Sequence, residues 1–169
     1  MSKIVSILAH DHSDFLKHLN SLERQTKIVA QGGTPDLMAI RAILDCFNGS
    51  PRRNHYRREE MLWGLLEERA PQLAAKVNVV LRYHRTLDAR LQQLTECFAE
   101  LESGQETGRR PFVEAATRFV EFERSHFADE TEHLFPIARK ILGEADVAGL
   151  DATLPIPSSS GTVIELGAA

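Results

Sequence analysis

The sequence predicts an all-α protein, an up-down-up-down antiparallel four-helix bundle followed by a flexible C-terminal tail. Three observations carry this expectation. Apolar residues recur at three- and four-residue spacing in four long stretches, turn signals separate those stretches, and no strand-like alternation competes before residue 150. With 169 residues, 43% hydrophobic and 26% charged, the chain has material for one sizeable core rather than two. The bundle is expected over residues 1–145 and the tail over 146–169.

The first helix runs from Ile4 to about Ala30, with Val5, Leu8, Phe15, Leu16, Leu19 and Leu22 on one face and Gln31-Gly32-Gly33 as its stop. Thr34 then offers a side-chain cap, Pro35 suits the first helical position and Asp36 complements the positive helix end. The second helix carries Leu37, Ile40, Leu44 and Phe47, and resumes through Leu62, Trp63 and Leu66 after Asn48-Gly49-Ser50-Pro51, where a kink or brief break is expected. The third begins near Pro71, shows Leu73, Val77, Val80, Leu81, Leu87, Leu91, Leu94, Phe98 and Leu101, and closes at Ser103-Gly104. The fourth runs from about Pro111 through Phe112, Ala115, Ala116, Phe119, Phe122, Phe127, Leu134, Ile137 and Ile141 to Gly143. Beyond residue 150, Pro, Ser and Gly dominate; only Thr162 to Leu166 suggests a short extended segment.

A formal net charge of -4 provides no global basic field, so nucleic acid is not an expected partner. Arg52, Arg53, Arg57 and Arg58 read as a solvated helix face. Cys46 and Cys97 form neither a disulfide framework nor a C-x-x-C pair and read as small buried hydrophobes. No stretch reaches the length of a signal peptide core or a membrane span, so no membrane partner and a cytoplasmic location are expected. The sequence carries no signal for oligomeric state.

Polar residues interrupt every apolar stripe. His12 follows Val5 and Leu8; His55 and Glu59 lie between Phe47 and Leu62; His84 lies between Val80 and Leu87; His126 and Glu130 continue Phe119 and Phe122. His133 shares that last face, as a partner of a ligand, an extra ligand or a core residue. His10 and His18 lie off the stripe and are expected at the surface, as are Asp129, Glu132 and Glu60. Antiparallel helices with a rise of about 1.5 Å per residue place His12, His55, Glu59, His84, His126 and Glu130 in one band roughly 10 Å tall. Charges withdrawn from water pair or bind metal, so the coincidence of six such groups points to cations.

Four imidazoles and two carboxylates exceed a structural zinc site and lack the oxygen-only shells of calcium and magnesium. They suit iron or manganese, and two glutamates able to bridge suggest a pair of ions, preferably two irons, with manganese or zinc as alternative occupants on purification.

The segments Asp11-His12, HYRRE from His55 to Glu59, Tyr83-His84, and HFADE followed by LFP from His126 to Pro136 resemble the haemerythrin-like, or HHE cation-binding, domain over about residues 4 to 142. The resemblance implies a non-haem di-iron centre ligated by His12, His55, Glu59, His84, His126 and Glu130, with an oxo or hydroxo bridge. It further implies a protein that binds dioxygen, senses oxygen, iron or nitric oxide, or handles reactive oxygen and nitrogen species. The chain departs from the oxygen carriers, which have a second histidine one turn from the first on the third helix; Val80 and Asp88 stand there. Those carriers place the last carboxylate five residues after the histidine, where Thr131 stands, whereas Glu130 matches many bacterial HHE proteins. The Cys-bearing N-terminal domain of relatives that repair iron centres has no counterpart in these 169 residues.

The expected function is therefore a di-iron protein that binds, senses or scavenges dioxygen, peroxide or nitric oxide, with Phe15, Leu62, Leu87 and Phe122 as an apolar chamber. An oxidase, peroxidase or nitric oxide reductase using the same metals is the enzymatic alternative, and a metal-free interaction bundle is the third.

Overall fold

The computed structural model describes residues 3–153, and every regular element among them is helical. Helix α1 spans Lys3–Ala30, α2 Leu37–Asn48, α3 Ser50–Arg69, α4 Ala74–Glu102 and α5 Arg109–Asp129; α6, Phe135–Ile141, continues α5 through a π-helical turn at Glu130–Leu134, and α7 covers Glu144–Thr153. Four arms result: α1, α2 with α3, α4, and α5 with α6.

The arms alternate in direction. One apolar cluster joins Leu22 and Val29 near the end of α1 to Ile40, to Phe98 and Leu101 near the end of α4, and to Phe112 at the start of α5. A second joins Ile4, Val5 and Leu8 at the start of α1 to Leu62, Trp63 and Leu66 late in α3, Val77 and Val80 early in α4, and Leu134 to Ala138 beyond α5. Starts meet ends at both levels, as an antiparallel bundle requires.

Gly49 divides the second arm. Its backbone is extended, and a Cβ there would stand 2.6 Å from the Asp45 carbonyl oxygen. Pro51 opens α3. The arm passes from the first cluster at Phe47 to the second at Leu62, so the break preserves its direction. The cap of α2 is Asp36, which accepts from the Ala39 amide at 2.9 Å, rather than Thr34. Gly32 ends α1 with φ +77, a backbone that disfavours side chains.

The helical part extends past the expected bundle boundary. Asp146 accepts from the Gly143 amide at 3.0 Å and from Arg69 Nη2 at 2.6 Å, and Val147 is buried in the second cluster. These contacts hold α7 where tail was expected. The extended segment expected at Thr162 to Leu166 lies outside the described residues. No described helix is long and apolar enough to cross a membrane.

Candidate metal centre

A polar layer separates the two apolar clusters. It consists of His12 from α1, His55 and Glu59 from α3, His84 from α4, His126 from α5, and Glu130 from the π turn, all buried. The helical period delivers them: His55 and Glu59, like His126 and Glu130, are four residues apart and superpose on one face.

Donor atoms of His12, His55, Glu59 and Glu130 lie within 4.8 Å of one another, and so do those of Glu59, His84, His126 and Glu130. The two groups share both glutamates. His55 Nε2 is 2.7 Å from Glu59 Oε1, His12 Nε2 is 3.2 Å from Glu59 Oε1 and 3.3 Å from Glu130 Oε2, and His84 Nε2 is 3.2 Å from Glu59 Oε2. His126 Nε2 stands 3.7 Å from Glu130 Oε2. Despite this proximity, His55 Nε2, His84 Nε2, His126 Nε2, Glu59 Oε2 and Glu130 Oε2 make no hydrogen bond. Buried polar atoms left so are costly, and lone pairs gathered about two common points fit cations.

The surrounding groups fix these side chains. Asp11 Oδ2 accepts from His55 Nδ1 at 3.2 Å and from Arg58 Nη1 at 3.1 Å. Holding the proton on Nδ1 turns Nε2 of His55 toward the centre. Thr131 Oγ1 lies 3.3 Å from His12 Nδ1, and Trp63 Nε1 donates to Glu130 Oε1 at 3.1 Å. Phe127 stacks on His12 at 4.3 Å and Phe15 meets His55 edge-on at 5.3 Å, giving the site apolar walls.

Charge is distributed unevenly. Burial opposes ionisation of Glu59, but His55, His12 and His84 together outweigh it and hold this carboxyl well below the usual range. Burial, reinforced by Glu59, pushes Glu130 well above it. Burial also acts against charge on His55, yet Glu59 and Asp11 prevail and raise it to about 9. Burial depresses His126 to about 3. The layer thus favours charge on the His55–Glu59 pair and opposes it on Glu130.

All six expected residues come together. His133 does not. It is exposed, with 64% of its side chain accessible, and faces Asp129 at 3.9 Å. Pro136 explains the difference: lacking an amide hydrogen and clashing with the carbonyl four residues earlier, it favours a widened turn, closed here by the Phe135 amide on the Glu130 carbonyl. The wider turn rotates the register, so that Leu134 faces inward. Val80 is buried in apolar surroundings and Asp88 pairs with Arg52, so neither supplements His84.

Other placements also differ. His10 is exposed as expected, but His18 is half-buried, edge-on to Phe47 at 6.5 Å. Phe122 is only half-buried beneath the guanidinium of Arg90, and Glu123 takes the inward position beside it. Arg52 and Arg58 are buried rather than solvated. Phe119, Glu123, Phe127 and Glu130 mark the inner face by four- and three-residue steps, a period that could have revealed Glu123.

Imidazoles and shared carboxylates in the core of an antiparallel helical bundle define a cation-binding bundle protein. The family model described as Hemerythrin HHE cation binding domain matches residues 3–138, and the chain belongs to that family. No curated protein matches it significantly.

Proposed function

We propose that the chain holds two iron ions and uses them to bind, sense or scavenge dioxygen, peroxide or nitric oxide. His12 and His55 hold one ion, His84 and His126 the other, and Glu59 and Glu130 lie between. The observation that carries this reading is the pair of donor groups sharing both glutamates. A metal pair there supplies a coordination position open to a small exogenous molecule.

The protein's own residues do the rest. Glu59 is already ionised and oriented by three imidazoles. Asp11 and Thr131 keep the rings of His55 and His12 in place, and Phe15, Phe127 and Phe135 exclude water from that side. The cytoplasmic setting expected from the sequence belongs to the same reading.

Iron analysis of protein from iron-supplied cells tests it. Two irons per chain in the wild type and loss of both in Glu59→Ala are expected. Far less than two irons in the wild type would contradict the reading, and steady consumption of peroxide with an electron donor would place the centre among enzymes.

A further inference from the structure

A cleft of about 720 Å³ opens between α3 and α4, lined by Asn48, Arg52, Tyr56, Arg57, Asp88 and Gln92 among others. Tyr56, itself buried, forms part of its wall and stacks on His84 with ring centroids 3.8 Å apart and planes 6° from parallel. The same ring meets His126 edge-on at 6.2 Å. The Tyr56 phenol thus lies between the cleft and His84, while Tyr83 covers His126 from another side at 5.7 Å. On the far side, His12 is walled by Phe127 and Phe135, and His55 stands between Phe15 and the same Tyr56 ring, the latter at 6.1 Å.

Tyr56 is pinned from the cleft side. The Arg52 guanidinium sits over its ring, 4.4 Å from the centroid, and pairs with Asp88 of α4 at 2.8 Å. Arg52 is buried, whereas 63% of the Asp88 side chain is accessible, so this clasp meets water at its α4 end. Water reaches the Asp88 carboxylate and screens the pair from that end, so the clasp is weaker than a fully buried one.

We propose that the cleft between α3 and α4 is the port through which small ligands reach the metal chamber, with Tyr56 as its gate and Arg52–Asp88 as the latch. The proposal rests on the function proposed above. Rotation of the phenol toward the cleft uncovers His84 and His126 to molecules of a few atoms, while the ring's attachment to α3 keeps larger ones out. Ligand therefore enters on the His84 side. A gate slows entry and exit alike, and so leaves equilibrium affinity unchanged.

Stopped-flow binding of azide to the iron-loaded chain tests this. In Asp88→Ala, a change at an exposed position, association and dissociation rates are expected to rise together by at least about threefold, the worth of an exposed ion pair being the lower bound for one with a buried guanidinium, with Kd and absorption spectrum as in the wild type. Tyr56→Ala raises both rates further, whereas Tyr56→Phe, which keeps the ring, matches the wild type. Unchanged rates in both alanine variants, or a Kd altered without a change in association rate, would overturn the port. Should the chain hold no iron, the proposed function fails; in that case, or if the iron-loaded protein binds no azide, the port is decided on metal-free protein. There, diethyl pyrocarbonate is expected to label His84 faster in Tyr56→Ala with His12 unaffected; equal labelling of His84 in variant and wild type would overturn it.

Discussion

Glu123 keeps a carboxyl in the interior that belongs to neither donor group. Burial raises it from an ordinary value of 4.5 to about 8, although Arg52 and His55 pull the other way. The folded chain therefore holds this proton more tightly than the unfolded one, so its contribution to stability is complete below pH 4.5 and is lost as pH rises toward 8. Glu123→Gln should flatten that part of the pH profile and stabilise the metal-free protein at pH 8 by a few kcal/mol, measured by denaturant unfolding. Parallel profiles for variant and wild type would refute it. His55, raised to about 9, carries a proton at neutral pH that a metal must displace, and burial shifts Glu130 in the same direction, so apparent metal affinity should rise with pH up to about 9 and loading should release acid into an indicator solution. A pH-independent affinity would contradict this. Asp11→Asn removes the charged acceptor that orients His55 and should weaken metal binding roughly ten- to hundredfold in a competition titration with a chelator of known affinity.

At the level of elements, glycines of opposite character offer a paired test. A Cβ on Gly108 would stand 2.9 Å from the backbone of Glu100 and Leu101, where α4 and the start of α5 cross, whereas a Cβ on Gly64 in α3 meets nothing within 4 Å. Gly108→Ala should cost about 1–3 kcal/mol through overpacking, and Gly64→Ala should gain up to about 1 kcal/mol by favouring the helix. Thermal unfolding of the two variants reads both signs, and a shift in the same direction for both would refute the assignment. The helices were legible because their apolar period survives from end to end, and each histidine was legible because it interrupts that period. What the period could not show was its own local failure. Pro136 widens the turn at Glu130–Leu134, which leaves His126 and Glu130 in place but carries His133 to the surface. The break at Gly49 was announced by Gly and Pro, whereas α7 depends on the distant pairing of Arg69 with Asp146, which no local pattern contains.

For the whole molecule, the polar layer lies between two apolar clusters and touches all four arms. A cation pair would bind the folded bundle and not the unfolded chain, so chelation should lower Tm as well as remove colour. The six donors were readable from sequence as a band at matching depth. The buried cations Arg52 and Arg58 were not, because a charged residue on a helix looks solvated until its partner on another arm is known; Asp88 and Asp11 supply those partners. The most direct test is an iron-edge anomalous difference map from crystals of iron-replete protein. Two peaks are expected between Glu59 and Glu130, about 3.5–4 Å apart, one beside His12 and His55 and the other beside His84 and His126. A single peak, or no peak with the six side chains bonded only to one another, would contradict the account.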